Sequence, residues 1–207
     1  MIPVPCPSRF RTSRLALRCA GDDARGLAAA LACGADALVI EGPVPLDLRD
    51  RIGAAMLIHA LDGPDAALPT TAPDAILLDR ARSGRDVAAL GARLAVHEAE
   101  HGWPDGGLPI LAQIGDPLGV LEARSFVGAS PRLAGLGLDT VALADALGAE
   151  AAGETVRQAR GLVRLAAAAA GVTALVTLAP DGIEAARRDG FELLITRDPE
   201  ALSSASP

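Results

Sequence analysis

The stretch PILAQIGDPLGVLEARSFVG at residues 109–128, continued by LAGLGLDTVALADALGA at 133–149, reads as strand, helix, strand, helix. Each apolar run, PILAQIG and LAGLGLD, leads to an aspartate, and each aspartate opens a helical pattern. Asp116 is placed to cap a helix with Pro117 at its first position, and Asp139-Thr140 opens the next helix in the same way. Strands that are apolar almost throughout, each followed by a covering helix, are the mark of a parallel sheet buried on both faces.

The same unit recurs to either side. Toward the N-terminus lie LALRC (15–19), ALVIE (37–41), MLIHAL (56–61) and AILLD (75–79); toward the C-terminus lie TALVTL (173–178) and ELLITRD (192–198). Helical patterns are predicted over 22–33, 45–54, 84–101, 117–128, 140–149, 154–170 and 181–189. The first is capped by Asp22 and Asp23 and closed by Gly34. Only DGPDAALPTTAP, between the third and fourth strands, is too rich in Pro and Gly for a helix. Eight such units close a (β/α)8 TIM barrel. The expectation is one α/β domain over 1–207, with its barrel core at about 14–198, trimmed between strands 3 and 4. The SSASP tail is expected to fray. An open doubly wound sheet is the alternative, but no strand is followed by G-x-G-x-x-G or a P-loop.

Composition narrows the function. The chain has 207 residues, 50% hydrophobic and 22% charged, an ordinary globular balance. A net charge of -7 without any Lys/Arg block speaks against nucleic acid as a partner. Neither a signal peptide nor a membrane span is legible, so a cytoplasmic protein with no membrane partner is expected. Cys6, Cys19 and Cys33 lack metal or disulfide spacing and read as small hydrophobes. All 19 basic residues are arginine. With no lysine, Schiff-base, PLP and P-loop chemistry are closed; with no tyrosine or asparagine, their acid/base and oxyanion roles are absent too.

Several segments in order carry a family resemblance: Arg14 through DDARGLAAALACGADALVIE, PDAILLDRARSGRDVAAL, LPILAQIGDPLGVLEA, SPRLAGLGLDTVALADALGA and VRQARGLVRLAAAAAGVTALVT. Together they resemble the citrate lyase β-subunit/HpcH-HpaI aldolase superfamily. That resemblance implies a (β/α)8 barrel, a homo-oligomer and a small organic acid or acyl-CoA as ligand. It also implies Mg²⁺ held by a Glu after strand 5 and an Asp after strand 6 during carbon–carbon bond chemistry. Here those positions read Gly115 and Ala142. The acidic motif after strand 2 is reduced to Glu41-Gly42-Pro43, the Pro-Lys after strand 4 reads Asp79-Arg80, and the arginine motif of strand 3 reads Ile58-His59-Ala60. Arg14 is the family position kept, and the family's C-terminal extension is expected to be missing.

Polar residues at the strand ends are the candidates for chemistry, since barrel active sites lie at that face. They are Arg18, Glu41, His59, Asp79, Arg80, Gln113, Asp116, Asp139, Thr177, Arg197 and Asp198. The first expectation is a non-catalytic or functionally diverged homologue needing no cofactor. The alternative is an active lyase or aldolase. It would hold Mg²⁺ on relocated ligands Glu41, Asp116 and Asp139, with Glu41, His59 or Arg80 as catalytic candidates and Arg14 and Arg80 on the substrate carboxylate. Against it, helix capping alone accounts for Asp116 and Asp139, and His59 reads equally as a satisfied barrel residue.

A third reading comes from HEAEH at 97–101, which fits the H-E-x-x-H zinc hydrolase pattern. It falls at the end of the predicted helix 84–101, where Val87, Leu90 and Leu94 mark the packing stripe and His97 and His101 extend it. That end belongs to the barrel's stability face, and the only moderately spaced third ligand, Glu122, lies on another helix. The polar end of a covering helix is therefore favoured over a hydrolase.

Overall fold

The computed structural model describes residues 15–204, with side chains to 201. Arg14 and Cys6 lie outside the described residues. Eight parallel strands close a barrel in sequence order, with β1 (Leu15–Ala20) paired to β8 (Leu193–Thr196) as well as to β2 (Ala37–Glu41). The others are β3 (Met56–Asp62), β4 (Ala75–Asp79), β5 (Ile110–Ile114), β6 (Leu133–Asp139) and β7 (Thr173–Thr177). The TIM-barrel expectation holds, and each predicted strand lies within two residues of the observed one.

Alternation along the strands sorts side chains into two apolar layers. Ala37, Val39, Ile58, Ala75, Leu77, Leu111, Leu175, Leu193 and Ile195 form a cluster of their own that fills the barrel interior. Leu38, Ile40, Leu57, Leu61, Ile76, Leu78, Ile110 and Ile114 join the larger cluster between strands and helices. β6 has glycines on its inner face because room is short there. A Cβ on Gly137 would fall 2.0 Å from the Leu175 carbonyl oxygen, and one on Gly135 would press on Leu111 and Leu175.

The helices are α1 (Ala24–Ala32), α2 (Leu48–Arg51), α3 (Gly84–His101), α4 (Pro117–Leu121), α5 (Thr140–Leu147), α6 (Glu154–Ala170), α7 (Ile183–Arg188) and α8 (Pro199–Ser204). α3 and α6 match their predicted limits. The helix expected over 117–128 instead stops at Glu122 and continues as a 3-10 turn, Ala123–Phe126. This turn backs onto the start of α3: Gly84 N–H donates to the Ser125 hydroxyl, and a Cβ on Gly84 would collide with the Ser125 carbonyl oxygen. The helix expected over 45–54 shortens to the single turn of α2, and α8 was not foreseen.

No helix joins β3 to β4. Residues 63–74 run as a strap across the outside of the barrel, tied to α3. Arg93 donates to the carbonyls of Pro64 and Ala66, and His97 Nε2 bonds the Pro69 carbonyl at 2.8 Å. No helix among the described residues is long and apolar enough to cross a membrane.

Candidate functional site

The inner-face alternation that fills the barrel turns polar at or near the C-terminal end of nearly every strand. Ala16 is followed by Arg18, Val39 by Glu41, Ala60 by Asp62, Leu77 by Asp79, Leu111 by Gln113, Leu175 by Thr177 and Ile195 by Arg197. These residues ring the C-terminal mouth of the barrel, and all but Thr177 line a cavity of about 830 Å³. Arg80, Gly115, Asp139 and Ala142 complete its rim, and the strap closes one side.

Charge in the mouth is largely paired within the protein. The buried Arg18 guanidinium binds Asp79 through both terminal nitrogens and Glu41 through Nε. Arg197, just past β8, holds Glu41 with Nη2 2.6 Å from Oε1 and Nη1 3.3 Å from Oε2. The result is a chain Asp79–Arg18–Glu41–Arg197 across the mouth. Burial raises the Glu41 carboxyl, but Arg197 and Arg18 outweigh it and hold it below the usual glutamate range. Asp79 goes the other way. Burial pushes its carboxyl up, Arg18 offsets only part of that, and the neighbouring Asp139 and Glu41 charges add to the rise. For Arg18, burial favours the neutral form, but Asp79 and Glu41 more than reverse it, so the guanidinium stays charged. Asp79, with one cation partner and two anionic neighbours, is the member that gives up its charge first.

Gln113 lies at the floor, fully buried. Its Nε2 donates to the Thr177 hydroxyl at 2.7 Å, while its Oε1 has no partner. Arg80 is the one described non-glycine residue with positive φ, at 52°, and its guanidinium pairs with the exposed Asp62. A conformation of this kind costs on the order of 1 kcal/mol or more, so the surrounding chain must hold it there.

The remaining sequence candidates fall differently. His59 is on the outer face of β3, in register with Ile40 and Ile76, so it looks toward the strap and lines the strap side of the cavity without entering the barrel interior. Burial lowers its pKa, which favours the neutral ring, and Nδ1 has no partner. Asp116 is not part of the cavity lining. Its Oδ1 caps α4 through Gly119 N–H and its Oδ2 binds Arg82. Asp139 lines the cavity but spends Oδ1 on the Val141 and Ala142 N–H groups, capping α5. Asp198 Oδ1 accepts from Glu200 N–H beside α8. Glu41, Asp116 and Asp139 are not brought together: among the described residues the one group of three ligand-type side chains with donor atoms within 4.8 Å is His97, Glu100 and His101. The strand-end alternation was legible in the sequence and would have moved His59 to the outside. The Gln113–Thr177 pairing spans 64 residues and gives no local signal.

Gly115 and Ala142 face one another at the rim. A Cβ on Gly115 would stand 3.3 Å from the Ala142 Cβ and 3.9 Å from Arg80 Cγ. The two positions singled out by the family resemblance are thus neighbours in space, although 27 residues apart, and both present only carbon or hydrogen.

The HEAEH stripe also needs correction. The buried face of α3 is Val87, Leu90, Gly91, Leu94 and Glu98, while His101 is exposed and His97 only partly covered. Glu98 is fully buried. It accepts from Gly106 and Leu108 N–H and receives both Nη atoms of Arg132, at 2.8 and 2.7 Å. It is thereby committed to the barrel wall and is no free base.

No family model matches the chain, and no curated protein matches it. Solved structures do. RipC from Yersinia pestis aligns with a TM-score of 0.67 at 20% identity, covering 94% of each chain. The citrate lyase beta subunit from M. tuberculosis, complexed with oxaloacetate and magnesium, aligns at 0.66 and 18% identity, covering 94% of this chain and 96% of that one. An HpcH/HpaI aldolase/citrate lyase family protein from Burkholderia cenocepacia J2315 reaches 0.72 at 16% identity, covering 94% and 92%. The likeness shows a shared fold, and it falls on the same group of proteins that the sequence resembles.

Proposed function

We propose that this chain is a diverged barrel of the citrate lyase β-subunit/HpcH-HpaI group that binds a small organic acid in its mouth without that group's magnesium chemistry. The observation that carries this reading is the apposition of Gly115 and Ala142, two residues without a side-chain donor atom, at the rim. Where the resemblance places two metal carboxylates, neither side chain offers an oxygen, and even a Cβ added at Gly115 would stand only 3.3 Å from the Ala142 Cβ. The residues present do not fit a magnesium ion, which needs oxygen donors in near-octahedral array. Glu41 is occupied by two arginines, Asp79 by one, and Asp139 by the start of α5. The relocated-ligand lyase is the less favoured reading: Glu41 and Asp139 line the cavity, but Asp116 is spent outside it on Arg82 and the cap of α4. The expected homo-oligomer belongs to the same proposal, and sedimentation would test it.

Arg80 is the cation for the ligand carboxylate. Its ion pair with Asp62 is exposed at both ends, and such a pair contributes little. The unpartnered Gln113 Oε1 favours an acid that also carries a hydrogen-bond donor, such as a hydroxyl. Calorimetry with pyruvate, oxaloacetate and malate, with and without Mg²⁺, tests the reading. Binding should be indifferent to Mg²⁺ and weaken by about 10–100-fold in Arg80→Gly, a change that suits the positive φ. Magnesium-dependent cleavage of malyl-CoA or citramalyl-CoA at an enzyme-like rate would overturn it.

A further inference from the structure

His97, Glu100 and His101 project from one side of the last turn of α3, three and four residues apart, with donor atoms mutually within 4.8 Å. The motif's other acid, Glu98, points the opposite way, into the wall. The hydrogen bonds of the two rings fix which nitrogens are free. His97 Nε2 faces the Pro69 carbonyl at 2.8 Å and His101 Nδ1 faces the His97 carbonyl at 2.9 Å. A carbonyl only accepts, so these two nitrogens carry the protons, leaving lone pairs on His97 Nδ1 and His101 Nε2. A ring nitrogen anchored to a carbonyl while the other is left bare is the usual outer-shell arrangement of a metal-binding histidine. The rings lie with centroids 4.1 Å apart, and Trp103, turned back by the left-handed Gly102, packs against both.

We propose that His97, Glu100 and His101 form a site for a divalent transition-metal ion of the zinc class, and that the ion braces the strap over the barrel. Imidazole nitrogens select zinc, nickel or copper over magnesium or calcium. Three protein donors leave one tetrahedral position for water. The site is not hydrolytic, because the glutamate that would activate that water is Glu98, sealed against Arg132, Gly106 and Leu108. The effect of the ion is mechanical. Metal on His97 Nδ1 makes the Nε2 proton a better donor to the Pro69 carbonyl. Pro69 belongs to the strap segment Ala66–Thr71 that walls the mouth cavity.

The chain has a single tryptophan, and Trp103 reports directly, with its ring 5.2 Å from His97 and 5.1 Å from His101. Tag-free protein is titrated with Zn²⁺ in a calorimeter and with Ni²⁺ while Trp103 fluorescence is followed. Expected are one Zn²⁺ per chain, quenching by Ni²⁺, and slower amide exchange over 66–71 in the Zn²⁺ form. His101→Ala, at an exposed position where folding is not at stake, should weaken binding by about tenfold or more. Glu100→Gln should weaken it less, and Glu122→Gln not at all. No heat and no fluorescence change at submillimolar metal would overturn the site, as would binding that survives His97→Ala/His101→Ala. Binding without slower exchange over 66–71 would overturn the brace.

Discussion

Arg18 on β1 reaches across the barrel mouth to Asp79 on β4 and holds it through both terminal nitrogens, with Nη1 3.1 Å from Oδ1. Both side chains are largely withdrawn from water, at 6% and 13% exposure. A pair in such a place is costly to break and adds little net stability, because each charge has lost its hydration. Arg18→Met alone should therefore cost about 3–5 kcal/mol in denaturant unfolding, stranding Asp79 and half of the Glu41 pairing. Adding Asp79→Leu should recover much of that loss. A double variant no more stable than the single one would show that the network supplies stability outright.

Glu98 makes the second prediction, in pH. Burial pushes its carboxyl up, but Arg132 and the Leu108 and Gly106 N–H groups outweigh burial and hold it below the ordinary glutamate value. A depressed carboxylate stabilises the fold fully above its unfolded pKa, about 4.3, and loses that contribution as pH falls through its folded value. Near neutral pH, Glu98→Gln should cost about 3–5 kcal/mol, since the largely buried Arg132 is left with the exposed Asp105 and a long bond to the Leu108 carbonyl. The gap between wild type and variant should shrink as pH drops below about 4. A gap that stays constant from neutral to acid would exclude the ion pair as its cause.

Cys19 gives a chemical prediction. Burial against α1, with help from the Asp23 and Glu41 charges, pushes its thiol up to about 11. The thiolate is the reactive form, so Cys19 should resist maleimide at neutral pH in the folded protein and react once it is unfolded. Mass mapping of the labelled peptide reads this directly. Rapid native labelling would mean that the outer face of β1 opens.

The barrel was legible because it is written in local periodicities. Apolar runs, capping aspartates and the terminal glycines of α3, α5 and α6 carry it, and Asp116 and Asp139 cap the helices assigned to them. What escaped depends on contacts distant in sequence. The break at Glu122 answers to Gly84, and the burial of Glu98 answers to Arg132, 34 residues away. In the mouth the residues were found, but not their partners. The sequence offers Glu41 as a candidate ligand, but Arg18 on β1 and Arg197 just past β8 occupy it.

The strap offers a prediction about dynamics. Arg93 is its main tie to α3, donating to two carbonyls near one end, Pro64 and Ala66. Arg93→Ala removes those bonds but leaves Ala66 and Leu68 packed against the main apolar cluster, so the core stays closed. Proteolysis or amide exchange over 63–74 should quicken several-fold, while global unfolding shifts by only about 1–2 kcal/mol. Equal changes in both would make the strap part of the cooperative core.

Two carboxylates can be installed where the family resemblance places a magnesium site. Gly115 and Ala142 are close enough that carboxylates grown from both would meet over the rim, where Arg80 is the nearest cation. A single Gly115→Glu or Ala142→Asp supplies one anionic donor, which Arg80 can neutralise, so neither should bind Mg²⁺ measurably. The double variant supplies two hard oxygen groups on one spot, which is how magnesium is commonly held. Its thermal midpoint should therefore rise with Mg²⁺, by roughly 5–10 °C when the ion stands at about a hundred times its Kd. A Cβ at position 115 would stand 3.3 Å from the Cβ at 142, so the rim must open by a few tenths of an ångström to admit the new side chains, and without Mg²⁺ the double variant should be less stable than wild type. If it gains no response to Mg²⁺, the two positions are not the remnant of a metal site, and the family's chemistry cannot be traced to them.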